Sequence, residues 1–197
     1  MVLDKGRSGT KFLIDPVAAR MGKVSPGLIT VLSLVISLVF AFLFYYGYIV
    51  FSFVALLVSA YFDALDGTVA RLFNKVSLKG DFLDHLIDRY VDFIVLFALA
   101  ISAYGNIYFG SLAIAGTFLT SYVGTQAQAI GQKRLYGGFP GRADRLVIIL
   151  AAILIQLFTG RIYGFYIISW TLLFLGLAGL INSIYRAAKV YRSIEVE

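Results

Sequence analysis

The sequence of 197 residues contains no cysteine, one histidine and three prolines. Without cysteine there can be no disulfide, no thiol nucleophile and no cysteine-ligated metal. The single histidine, His85, cannot build a histidine-rich centre. Charge is scarce too. Only 14% of residues are charged, against about 25% in soluble domains, which excludes a disordered chain. Glutamate is almost missing, with only Glu195 and Glu197 near the C-terminus. The first 22 residues have no apolar signal-peptide core and carry Asp4 and Asp15, so no cleaved leader is expected there.

What is abundant is apolar surface. Hydrophobic residues make up 60% of the chain and the mean hydropathy is +0.87. A soluble fold, typically about 45–50% apolar, cannot bury that much. The apolar runs are continuous and not alternating, which predicts an all-α membrane protein and not a barrel. Six runs approach the roughly 20 residues that span a bilayer. They are Leu28–Tyr48, Ile49–Leu72, Phe82–Tyr104, Ile107–Ile130, Leu146–Phe158 and Tyr163–Tyr185. The fifth is short and extends back through Arg142 if basic side chains snorkel. No proline interrupts any of them.

Six spans also sort the charges. All of the 17 basic residues except Arg89 and Arg161 then fall on one side. The positive-inside rule makes that side, with both termini, cytoplasmic. The net charge of +6 and pI of about 9.5 therefore reflect topology, and no nucleic-acid partner is expected. Ahead of the spans, residues 10–22 place Phe12, Leu13, Ile14, Val17, Ala18 and Met21 beside Lys11 and Arg20, which predicts an interfacial helix with Pro16 at a start or kink. Ser25-Pro26 reads as an N-cap followed by a first-turn proline. The expected organisation is a single membrane domain over residues 1–197, with the bundle at 28–185.

The acids are oddly placed. Of nine aspartates, six lie between Asp63 and Asp92. Asp63 and Asp66 are spaced i, i+3, and Asp84 and Asp88 i, i+4, so each pair shares a helix face. Asp63 lies eight residues before Arg71 and Asp88 eight after Gly80, each about 12 Å along a helix. Antiparallel neighbours would bring all four carboxylates to one depth near the cytoplasmic face. Four such groups cannot all stay ionised without a cation. Oxygen-only ligation suits Mg²⁺, Mn²⁺ or Ca²⁺, and Mg²⁺ commonly shares its shell with phosphates. Arg71 fits a phosphate clamp. Gly67 and Ala70 serve either a bulky ligand or close helix packing.

The pattern Asp63-x2-Asp66-Gly67-x2-Ala70-Arg71-x8-Gly80-x3-Asp84-x3-Asp88 resembles the signature of the CDP-alcohol phosphotransferases at every fixed position. The resemblance implies an enzyme that moves a phosphate-linked group from a CDP-alcohol, such as CDP-diacylglycerol or CDP-archaeol, to an acceptor hydroxyl, releasing CMP. It implies that Asp63, Asp66, Asp84 and Asp88 surround one or two Mg²⁺ or Mn²⁺ ions, with Asp88 as general base. It implies that Asp63, Asp66, Gly67, Ala70, Arg71, Gly80 and Thr30 hold the nucleotide, and that the chain works as a homodimer.

The acceptor is addressed by further resemblances. Asp88-Arg89-Tyr90-Val91-Asp92 resembles the branch that makes phosphatidylinositol phosphate or archaetidylinositol phosphate; an Arg89–Asp92 pair is equally a way to neutralise charge in a span. Arg142-Ala143-Asp144-Arg145 resembles the segment with which that branch binds the acceptor's phosphate, with Lys133 and Arg134 as possible helpers. Two positions depart from the pattern. Gln126 and Gln128 stand where the branch usually has a basic residue, and Gly27 stands where the family usually has asparagine. His85, about 100° round the helix from Asp84, is expected to face a neighbour and not the metal. The competing class, a cation transporter, would need midplane acids, broken helices and repeated halves. None of these is visible.

Overall fold

The computed structural model describes residues 7–132 and 138–194. Lys133, Arg134, Glu195 and Glu197 lie outside the described residues. Those residues form seven helices: α1 Arg7–Arg20, α2 Pro26–Tyr45, α3 Ile49–Leu72, α4 Leu78–Ile101, α5 Ile107–Ala129, α6 Arg142–Gln156 and α7 Ile167–Ile194. The chain divides into two compact units, with the boundary inside α4 between Ala98 and Leu99.

Each of the six expected spans corresponds to a helix. Four of them, α2, α3, α5 and α7, are long and apolar enough to cross a bilayer. The protein is thus an integral membrane protein. The other two fall short for visible reasons. Up to its midpoint and just beyond, α4 carries Lys79, Asp81, Asp84, Asp88, Arg89 and Asp92. At 15 residues, α6 is about 22 Å long against a hydrocarbon core of about 30 Å. It begins at Arg142, as the extended fifth run required.

In the N-terminal unit α2 and α3 form a hairpin closed by Gly47, whose φ of +81° suits glycine. Buried serines line the hairpin and satisfy themselves locally. Ser33, Ser37 and Ser52 each donate to the carbonyl three residues back at 2.7 Å, and Ser59 donates across to the Ser33 carbonyl at 2.9 Å. Ile14 and Ala18 of α1 pack with Ile29, Leu65 and Val69. The face expected for α1 is therefore divided: Ile14 and Ala18 are buried, whereas Phe12 and Val17 stay exposed. Pro16 lies inside α1 and not at its start. The packing of Ile14 and Ala18 offsets the hydrogen bond that proline removes. Pro26 does open α2, but Ser25 makes no side-chain cap.

In the C-terminal unit α5 and α7 meet backbone to backbone. A Cβ on Gly116 would lie 2.7 Å from the Gly176 carbonyl oxygen, and one on Gly179 would lie 2.8 Å from the Gly116 carbonyl carbon. The Thr120 hydroxyl donates to both the Gly116 and Gly179 carbonyls at 2.8 and 2.9 Å. Small residues and a shared hydroxyl replace the hydrophobic drive that is missing between helices in lipid. α6 also packs against α7.

One boundary needs correction. The sixth apolar run begins at Tyr163, but α7 begins at Ile167. Tyr163 and Gly164 have φ of 49° and 83°, and Ile162 and Phe165 bond each other across this turn at 2.7 and 3.2 Å. Hydropathy does not register a turn built from apolar residues.

Candidate active site

The acidic residues sit on the last turns of α3 and the first turns of α4, both in the N-terminal unit. Local sequence sets up this corner. The Ser77 hydroxyl oxygen accepts from the Gly80 N–H at 3.1 Å, capping the start of α4. Lys75, in the connection, donates from Nζ to the carbonyls of Gly22 at 2.6 Å and Val24 at 3.2 Å. This ties the α3–α4 turn to the α1–α2 turn, just before the helix that carries Thr30.

Asp66 is the most enclosed of the acids, only 4% exposed. The Thr30 hydroxyl and the Gly67 N–H face its carboxylate, and Asp63 and Asp84 act on it as like charges. Asp84 belongs to α4, so the two helices share one negative field. The Oδ2 atom of Asp66 is buried and accepts no hydrogen bond among the described residues. On α4, Asp84, His85 and Asp88 offer ligand atoms within 4.8 Å of one another, and Asp88 is buried. That group does not include Asp63 or Asp66, but a buried Asp66 oxygen without a donor, in the field of Asp63 and Asp84, offers the hard oxygen ligands a divalent cation takes. The residues present fit such an ion.

Arg71 folds back on its own helix. Its Nη2 donates to Thr68 Oγ1 at 3.2 Å, and a Cβ on Gly67 would meet its Nη1 at 3.2 Å. Glycine at 67 is what lets the guanidinium lie there. Gly27 has a similar reason: a Cβ at this position would stand 3.1 Å from Leu83 Cδ2, directly before Asp84 in the chain. A larger side chain there would need the Leu83 side chain to give by a few tenths of an ångström. His85 contacts Asp81 at 3.4 Å, while its ring also stands beside Asp84 and Asp88. The sequence expectation had set it apart from those acids. Arg89 and Asp92 form the expected ion pair at 2.9 Å.

The residues proposed for the acceptor lie in the C-terminal unit. Arg145 is buried and Arg142 partly so, both in the first turn of α6, where Asp144 accepts from the Gly141 N–H at 2.9 Å. Gln126 and Gln128 are exposed. Arg186 was read only as positive-inside charge. It is half-buried, and its Nη1 donates to the Thr120 carbonyl at 3.3 Å. Only its i, i+4 spacing from Asn182 hinted at an inward face.

Comparison with known proteins places this geometry. The archaetidylinositol phosphate synthase of Pyrococcus horikoshii is 32% identical over 157 residues, covering 80% of this chain and 83% of that protein. Phosphatidylinositol phosphate synthase (PgsA1) of Mycobacterium tuberculosis, solved with CDP-DAG bound, superposes with a TM-score of 0.77 at 24% identity, covering 89% of this chain and 92% of that one. The same enzyme with manganese and citrate gives 0.78, with 89% and 88% covered, again at 24% identity. Both proteins carry names from the branch that the sequence resembles, and at this identity the two structures establish the fold. The sequence profile of the CDP-alcohol phosphatidyltransferases matches residues 23–181, a stretch that contains every aspartate of the corner between α3 and α4. The chain therefore belongs to the CDP-alcohol phosphatidyltransferase family and is a phosphotransferase of the membrane.

Proposed function

We propose that the protein transfers a phosphate-linked lipid group from a CDP-alcohol, CDP-diacylglycerol or CDP-archaeol, to a hydroxyl of inositol phosphate, with release of CMP. The observation that carries this reading is a buried Asp66 oxygen that lacks a hydrogen-bond partner and lies in the field of Asp63 and Asp84, at the family's spacing. The names of the relatives, synthases of inositol phosphate lipids, support the acceptor.

In this mechanism Asp63, Asp66, Asp84 and Asp88 would hold one or two Mg²⁺ or Mn²⁺ ions, whose chemistry when bound would be to offset the charge of the pyrophosphate. Thr30, Gly67, Ala70, Arg71 and Gly80, with Asp63 and Asp66, hold the cytidine diphosphate; the small residues let it approach the backbone. Asp88 accepts the proton of the acceptor hydroxyl. The freed oxygen forms a bond to the lipid-bearing phosphorus. The phosphorus–oxygen bond to CMP breaks, and CMP leaves with that electron pair. Arg142 and Arg145, with Lys133 and Arg134, hold the acceptor's phosphate. The six helices all span the membrane, α1 lies in its interface, and both termini and the site face the cytoplasm. The active form is a homodimer with the two compact units of each chain working as one domain, since one family profile crosses both.

The test is CMP release from CDP-diacylglycerol and CDP-archaeol with inositol 1-phosphate, glycerol 3-phosphate, inositol and serine as acceptors. Turnover with inositol 1-phosphate, lost in EDTA and restored by Mg²⁺ or Mn²⁺, is expected. Turnover only with an unphosphorylated acceptor would remove the phosphate role from Arg142 and Arg145.

A further inference from the structure

Asn182 is a polar group that this reaction scheme leaves unused. It lies on α7 and is only 3% exposed. Neither its Oδ1 nor its Nδ2 makes a hydrogen bond among the described residues. A carboxamide buried without partners costs about 1–3 kcal/mol, so such groups generally have an occupant that satisfies them. In a membrane helix a buried polar residue marks a functional site by default.

Gly138, with φ of +90°, is pressed against this amide: a Cβ there would overlap the carboxamide, 2.7 Å from Cγ and 2.9 Å from Nδ2. The segment leading into α6 therefore runs over Asn182. Arg145 lies in the buried stripe of α6 with Ile149 and Ala152, and α6 packs against α7. Arg186, four residues beyond Asn182 on the same face of α7, reaches the Thr120 carbonyl. A neutral amide thus lies within a unit that otherwise supplies cations. Cations recognise phosphate; an amide offers one acceptor and two donors, the complement of hydroxyl groups.

We propose that Asn182 binds a hydroxyl of the acceptor polyol and sets the preference for a polyhydroxylated acceptor. This rests on the reading above that the acceptor is a polyol phosphate. Buried polar groups left unpaired by a substrate lacking the matching hydroxyl are a strong source of discrimination.

The test uses the full-length protein in detergent, with Asn182→Leu and Asn182→Ala. CMP release gives KM for inositol 1-phosphate, for glycerol 3-phosphate and for CDP-diacylglycerol, and the thermal midpoint is followed without acceptor. Binding through Asn182 predicts a KM for inositol 1-phosphate raised about tenfold in both variants, in line with loss of a hydrogen bond to a polar ligand. The KM for CDP-diacylglycerol stays within twofold. The acceptor-free midpoint of the leucine variant is unchanged or higher, because an unsatisfied amide is gone. An inositol 1-phosphate KM within twofold of wild type in either variant overturns the proposal. So does a joint rise of donor and acceptor KM with a lowered midpoint, or failure of both variants to fold, since either makes Asn182 a structural residue. Wild-type protein inactive with both phosphorylated polyols would instead overturn the acceptor reading itself, and this inference with it.

Discussion

Burying a carboxylate in an apolar bundle costs several kcal/mol unless its charge is matched. Asp66 bears that cost with like charges on Asp63 and Asp84 added to it. Replacing it by asparagine keeps the shape and removes the charge. Asp66→Asn should raise the thermal midpoint of metal-free protein by about 2–4 °C, the equivalent of about 1 kcal/mol at this chain length, while abolishing CMP release. A lowered midpoint would show that the carboxylate is structurally satisfied without a cation. Asp88→Asn should cut turnover by about 10²–10⁴, the usual worth of a positioned base, and leave CDP-lipid binding largely intact. Loss of nucleotide binding in that variant would contradict its role as base. Gly67→Val would drive a side chain into the Arg71 guanidinium; the KM for CDP-diacylglycerol is expected to rise about tenfold with little change in the acceptor KM. At this scale the aspartates were legible because helix periodicity alone puts 63 with 66 and 84 with 88. The contact between Gly27 and Leu83 was not, because the two lie more than fifty positions apart in the chain.

At the scale of the helices, existence and order were readable from hydropathy, and what misled was chemistry hydropathy does not record. Tyr163 and Gly164 look like the opening of a span and form a turn through left-handed backbone. The apolar side of α1 looks continuous, yet Ile14 and Ala18 are taken into the cluster with Leu65 and Val69 of α3 whereas Phe12 and Val17 stay exposed. The two helices that fall short as spans, α4 and α6, are those that carry the Asp84–Asp88 pair and Arg142 with Arg145, the residues given roles in the proposed reaction. The α5–α7 seam rests on the absence of side chains at 116, 176 and 179. Gly116→Leu should destabilise the protein by about 1–3 kcal/mol, the range of overpacked cores, seen as a lower thermal midpoint in detergent. An unchanged midpoint would mean that the two helices separate freely.

For the whole molecule, the proposed topology has a direct check, because the chain has no native cysteine to confuse it. Ser193→Cys and Gly160→Cys place single thiols at exposed positions on sides expected to be opposite; no atom lies within 4 Å of a Cβ at 160. In sealed, right-side-out vesicles a membrane-impermeant maleimide should label position 160 and spare 193. Labelling of both would overturn the crossing of α7, and labelling of 193 alone would overturn the cytoplasmic placement of the termini. The expected orientation rests on the segregation of the basic residues along the chain. The position of Asn182 was not legible, since nothing in a sequence tells that an amide on an apolar helix is left without a partner.

The glycine seam also bears on traffic. Where two helices touch through their main chains, no acyl tail can slip between them. A two-tailed donor of the proposed reaction would therefore find the face between α5 and α7 closed as an entrance at these glycines.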